Sequence, residues 1–285
     1  MSEQIPESVE RTHHYHASAT VIAGHLKLPL AREIRPQAHS ALQKEGGYFS
    51  EHAEGFTVEG VISFRSAYTQ VAGNKSNKDG RGWTTISTTA IEGLNVLEVV
   101  TADRVVTQII TEHPLVGYVP SINLLGTRFE NLRIAGHPVD LDLDHNILGA
   151  KPDGDATYTK DSGLITRVGS QYSRVLESDS LPEDLRERYN RLSSTLGSAE
   201  AVECSLVNRA SGSYPGHSFG HIIYVPDFGK IVLAKLIVSH GKHDTPTGAP
   251  RITNVHLTMV DLELGCAVEG SVPIGSGSSN GTTIP

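Results

Sequence analysis

The six residues Val139-Asp140-Leu141-Asp142-Leu143-Asp144 alternate without a break between an aliphatic side chain and a carboxylate. Successive side chains leave a pleated strand on opposite faces, so this segment buries three aliphatics only by setting three aspartates in water. A helix cannot use the pattern, because a period of two scatters the apolar groups around its circumference. The same constraint governs all of residues 93–144. Segments 96–101 and 105–111 are rich in β-branched residues and are separated by Thr101-Ala102-Asp103, which predicts a hairpin reversing at that tripeptide. Beyond it, His113-Pro114, Gly117, Pro120, Gly126 and Gly136-His137-Pro138 keep each β run short and leave no room for a helix.

The rest of the chain extends this reading. Strands are expected at 18–28, 57–72 and 83–90, the last two joined by the glycine-, asparagine- and lysine-rich connection 73–82, and again at 221–225, 230–240 and 251–264. Segments 32–55 and 149–169 read as loop. One helix is expected at 180–196: Ser180 and Glu183 have capping-box spacing, Pro182 sits in the first turn, and Leu181, Leu185, Tyr189, Leu192 and Leu196 recur at helical spacing before Gly197. The predicted fold is therefore all-β, an antiparallel β-sandwich or jelly-roll-like domain with one amphipathic helix. It comprises an N-terminal arm at 1–17, a single β domain at 18–269 with the helical insertion, and a flexible Gly/Ser-rich tail at 270–285.

Composition narrows the function classes. A net charge of −8, with no Lys/Arg cluster, excludes a phosphate backbone as the main partner. Aromatic content of 6% weakens a glycan-binding reading, which relies on stacking platforms. No apolar run approaches the roughly 20 residues of a spanning helix, and the N-terminus has no apolar signal core, so the chain reads as soluble and cytosolic by default, with processing or another export route left open. Cys204 and Cys266 form no disulfide framework; they are read as buried thiols, with a single bridge as the alternative.

Two blocks resemble the choice-of-anchor P domain of secreted bacterial surface proteins. One is GLNVLEVVTADRV (93–105) with GTRFENLRIAGHPVDL (126–141); the other is VPDFGKIVLAKLIV (225–238) with ITNVHLTMV (252–260) and GCAVEGS (265–271). Together they span under half of the chain. The resemblance implies an all-β protein of the cell envelope or extracellular space, with no established activity and no catalytic residues to carry over. The chain departs from the pattern in its helical segment and in showing neither a leader nor an anchoring tail.

Candidate chemistry is sparse. Gly216-His217-Ser218-Phe219-Gly220 matches the G-x-S-x-G nucleophile elbow, with Asp244 and His256 following in the order of a hydrolase triad. An elbow needs a strand before the serine and a helix after it, whereas here a polar, glycine-containing approach leads into strand-like HIIYV. His13, His14 and His16, with His217 and His221, are the candidate metal ligands; turn and surface histidines are the commoner outcome, since zinc needs three or four converging donors. Asp153, Asp155, Thr157 and Asp161 suggest a calcium loop but lack its glycine and closing glutamate. Asp140, Asp142 and Asp144 read as the wet face of a strand. No cofactor is expected. The reading is a non-enzymatic structural or interaction protein that assembles with copies of itself through its terminal arms. The alternative is a hydrolase or metal-dependent enzyme using His217, Ser218 and a carboxylate.

Overall fold

A computed structural model describes residues 11–28, 31–77, 81–245, 248–265 and 268–284. With 58% strand against 12% helix, the all-β class holds. The long strands of the first half are β2 (Ala17–Leu28), β3 (Arg32–Ala41), β4 (Gly47–Val58), β5 (Ile62–Lys75), β6 (Arg81–Val96) and β7 (Val100–Pro114), preceded by the short β1 (Thr12–His14). Five short strands follow: β8 (Ser121–Asn123), β9 (Arg128–Glu130), β10 (Arg133–Ile134), β11 (His137–Pro138) and β12 (Asp140–Leu143). Two helices, α1 (Ser162–Leu176) and α2 (Glu183–Thr195), separate these from β13 (Ala201–Ser205), β14 (Val207–Ser211), β15 (His217–Phe219), β16 (Ile222–Val225), β17 (Gly229–His240), β18 (Thr253–Gly265), β19 (Glu269–Ser279) and β20 (Thr282–Ile284).

Among the described residues two eight-stranded antiparallel sheets form, beside the two-stranded pairs β1-β20 and β12-β14. One runs β4-β5-β6-β7-β10-β11, with β8 and β9 also on β7; the other runs β15-β16-β17-β18-β19-β2-β3, with β13 on β17. The β19-β2-β3 end of the second sheet packs over β5, β6 and β7, forming a sandwich. The half built from β13, β16 and β17 is covered by the helices: Gln171 Nε2 donates to the Ser205 carbonyl at 2.7 Å, and the Tyr172 hydroxyl to the Glu203 carbonyl. On β12 the aspartates at 140 and 142 are exposed, while Val139, Leu141 and Leu143 pack against the core, as the alternation requires.

Several boundaries differ from expectation, each for a local reason. The hairpin between β6 and β7 reverses at Leu97-Glu98, and Thr101-Ala102-Asp103 lies within β7. Both turn residues have φ near +55° (53° and 58°), the type I′ geometry that matches strand twist, and Asn95 Oδ1 accepts from the Glu98 N–H. Neither residue is one of the usual Asn-Gly signals. Segment 57–72 is likewise divided by a turn at Glu59-Gly60, with φ of 48° and 66°. Most of segment 32–55, expected as loop, is strand: β3 and β4 take all of it but the connection at 42–46.

The expected loop at 149–169 contains the start of α1. Asp161 caps it by accepting from the Leu164 N–H at 2.7 Å, and Leu164, Val168, Tyr172 and Val175 line its buried side. Helix α2 forms where expected, but Ser180 bonds Ser178 and makes no capping box.

The largest correction concerns the C-terminal segment. Residues 269–279, whose Gly/Ser content reads as a flexible tail, form an interior strand between β18 and β2. Their small side chains let threonines of the facing sheet reach the backbone: Thr89 Oγ1 donates to the Ser276 carbonyl at 3.0 Å and Thr107 Oγ1 to the Gly275 carbonyl at 2.5 Å. Gly275 has φ of +66°, and the pairing registers set Ala234, Met259, Gly275, Val21 and Ala38 side by side across β17, β18, β19, β2 and β3. Ala234 and Ala38 also have positive φ, 45° and 43°, so alternate strands kink along one line and the sheet bends there.

A side chain at Gly275 meets Thr107 Oγ1 at 3.3 Å in a backbone conformation that branched residues avoid. Gly275→Val is expected to lower stability by about 2 kcal/mol or more. In denaturant unfolding, Gly265→Ala serves as the control, since a Cβ there meets nothing within 4 Å.

Candidate functional site

The elbow motif folds as a β-hairpin. His217–Phe219 pairs antiparallel with Ile222–Val225, so Ser218 is followed by a turn and a strand instead of a helix. Its Oγ donates to the Ala210 carbonyl at 2.6 Å and lies 3.1 Å from the Tyr214 hydroxyl. His256 lies three strands away: Ser218 aligns through Ile223 and Ile231 with Leu262, and six further residues along β18 separate Leu262 from His256, roughly 20 Å. Asp244 ion-pairs with Arg251 at 3.1 Å. The three groups form no triad.

The calcium-loop residues are committed elsewhere. Asp155 Oδ1 accepts from the Tyr118 N–H at 2.6 Å, and Asp161 caps α1. Among the described residues, no three His, Cys, Asp or Glu side chains converge as a metal cluster. His217 is exposed and stacks on Phe219, while His221 is buried. His14 ends β1 and His16 lies beyond it; His16 is exposed and His14 half-buried, whereas His13 and Tyr15 are buried. Cys204 is a free, buried thiol pushed up to about 12 by burial, which makes it inert; Cys266 lies outside the described residues.

Buried histidines occupy three environments among the described residues; in one of them His240 is fully paired, its Nε2 accepting from the Tyr158 N–H at 3.1 Å and its Nδ1 lying 3.1 Å from Thr253 Oγ1. Beneath α2, His221 Nε2 lies 2.9 Å from the Tyr189 hydroxyl. Burial, with Arg188 and Lys235 adding repulsion, lowers it to about 4. The charges around it are paired off: Arg188 with Glu203 at 2.5 Å, Lys235 with Asp261 at 3.0 Å and Lys230 with Glu263 at 2.7 Å. This is a clamp holding the helix to the sheet, with every group satisfied.

The third environment closes the end of the sandwich, where β1 pairs with β20. His13 stacks on Trp83 at 5.0 Å between ring centroids and 12° between planes, and it lies 4.5 Å from the His113 ring. Its Nδ1 is 3.0 Å from Thr283 Oγ1, but its Nε2 has no partner. Neither ring nitrogen of His113 has a hydrogen-bond partner of good geometry, although the Tyr118 backbone is near enough to oppose its drop in pKa. Burial lowers His13 to about 4 and His113 to about 3, each aided by neighbouring histidines. The sequence pattern marks His13 but misses His113, which reads only as half of a His-Pro strand terminator. Nothing in spacing links positions 13, 113 and 281.

Residues 13–239 match the family model described as Domain of unknown function (DUF8256). The chain belongs to that family. The match begins at His13 and ends within β17, so it takes in the first sheet and both helices. No curated protein matches the chain. No helix among the described residues is long and apolar enough to cross a membrane.

His221 and His240 are held neutral in the fold, the latter also lowered to about 4 chiefly by burial. Their ordinary value is 6.5, so the unfolded chain takes up protons first as pH falls. Their contribution to stability is full above pH 6.5 and is lost on the way down through about 4. Urea midpoints are expected to fall steadily between pH 7 and 4.5, above the range of most carboxylates; a flat profile contradicts this assignment.

Proposed function

We propose that the protein is a non-enzymatic interaction module that associates with copies of itself by pairing strand edges. The observation that carries this reading is β4. It ends the first sheet, pairs as a strand with β5 while Glu51 Oε2 accepts from the His39 N–H of β3 at 2.9 Å, and its twelve residues, Gly47–Val58, are exposed over almost their whole length. Tyr48 and Phe49 keep 60% and 39% of their surface in water, which a solitary strand edge does not require. A long, open, aromatic-bearing edge is a template for a further strand.

An antiparallel copy related by a two-fold axis uses the same patch on both subunits. With the axis at His52, Tyr48 faces Phe56 of the partner subunit, and Glu51 and Glu54 do not face one another. The terminal arms take a different part from the one composition suggests. Among their described residues, β1 and β20 pair with each other within one chain and β19 lies between β18 and β2, leaving β4 as the open edge that supports association. An envelope or extracellular setting, as the choice-of-anchor P resemblance implies, belongs to the same reading.

Sedimentation velocity across a wide concentration range tests it. The wild-type chain is expected to form a dimer or larger species, and Tyr48→Lys with Phe49→Lys to shift it to monomer with little change in thermal midpoint, because both side chains are exposed. A wild-type monomer at every concentration ends the proposal.

A further inference from the structure

We propose that His13 and His113 form an acid-opened latch: on taking up protons they release the C-terminal strand β20 from β1 and admit water to the rings and to Trp83. The two imidazoles pack against each other, with ring centroids 4.5 Å apart and planes tilted by 51°. His13 Nε2 and both ring nitrogens of His113 have no hydrogen-bond partner. Such a pair tolerates burial only while both rings are neutral, because a proton on each sets two unpaired cations side by side out of water.

The groups around the pair do not offset that charge. From its own segment His13 meets His14, His16 and the Tyr15 ring, from β6 the Trp83 ring, from β7 His113, and from β20 Thr283 Oγ1. Burial pushes the Tyr15 phenol up, so it stays neutral. His113 meets His13 and the Tyr118 backbone, and beyond Tyr118 the Arg11 guanidinium is turned onto the Leu115 and Gly117 carbonyls. The charges that act on the two rings are those of histidines, with no carboxylate among them. Gly281, between β19 and β20, closes the remaining side: a Cβ there lies 2.6 Å from the Cε1–Nε2 edge of His13 and 2.7 Å from His113 Nε2.

The fold confines the opening to this end. β20 is held to β1 by three residue pairs, Thr12 to His14 with Ile284 to Thr282, and by one bridge from Thr282 to Ile252. Trp83 belongs to a small apolar cluster with Tyr15, Ala17, Ala19, Leu42 and Val71, separate from the main core. A short ladder over a satellite cluster opens at lower cost than the sandwich itself. Burial lowers His13 to about 4 and His113 to about 3 from an ordinary 6.5. The closed latch therefore has its full strength above pH 6.5 and loses it as pH falls toward about 4. Over that range the open form holds two protons that the closed form lacks, so the opening constant rises roughly 100-fold per pH unit. The latch does not rest on the proposed self-association.

Trp83 is the sole tryptophan and stacks directly on His13, so its emission reports the latch. As the wild-type chain is acidified from neutral pH, that emission is expected to shift to the red with the steepness of two protons, while the far-ultraviolet strand signal holds. Hydrogen exchange, corrected for the intrinsic pH effect, gives a readout that needs no variant to fold. At about pH 5 the amides of β20 are expected to open at least about tenfold more often than at neutral pH, with those of β6 and β18 still protected. His13→Phe, which keeps a ring against Trp83, is expected to reduce the transition to one proton and move it to lower pH. An emission change that coincides with loss of the strand signal, an unaltered transition in the folded His13→Phe chain, or β20 protection that is the same at both pH values overturns the proposal.

Discussion

The sandwich depends on hydroxyl groups meeting a bare backbone. Where β19 crosses β6 and β7, the interface is lined by Thr89, Thr107, Thr111 and Ser87, and all four are buried. Thr89 and Thr107 bond carbonyls of β19, Ser87 bonds the Ser18 carbonyl of β2, and Thr111 meets Ser279. A buried hydroxyl without a partner costs free energy, so these threonines tolerate burial only because β19 is made of glycine and serine and its backbone can be reached. The kink at Gly275 frees the carbonyl that Thr107 uses. Two segments that look polar and unstructured in isolation therefore complete one another.

The same principle explains the candidate sites. A group that looks reactive in a motif loses that character once neighbours satisfy it. The Ser218 hydroxyl is spent on the Ala210 carbonyl of β14, Asp155 and Asp161 on backbone N–H groups, and the buried His221 on Tyr189. What remains chemically open among the buried histidines is the facing pair at the junction of the two chain ends, where three ring nitrogens are without partners. Burial lowers the basicity of both: the His13 ring packs against Trp83, Tyr15 and the His113 ring at the β1–β20 pair.

Sequence legibility followed the range of the interactions involved. The alternation at 139–144, the long β-branched runs of β5, β6 and β7, and the leucine stripe of α2 are local signals, and the structure contains all of them. Turns were harder, because Leu97-Glu98 adopts a type I′ geometry without asparagine or glycine; the Asn95 side chain and the flanking ladder hold it. Helix α1 was masked by Gly163, Gly169 and its serines, and it is held in place by long-range bonds from Gln171 and Tyr172 to β13. In the histidine pair, only His13 stood out, because one hundred residues separate it from its partner.

The sequence by itself determined the class of fold, since a period of two can bury its apolar face only in a sheet. It also fixed the net charge of −8. Tertiary structure decided which segments are core and which are edge. Gly/Ser-rich β19 became an interior strand because the facing threonines need its backbone, while β4, with two phenylalanines and a tyrosine, was left open at the rim. It also brought His13, His113 and Gly281 to one point. Pairing of distant strands sets such meetings, and no local pattern records them.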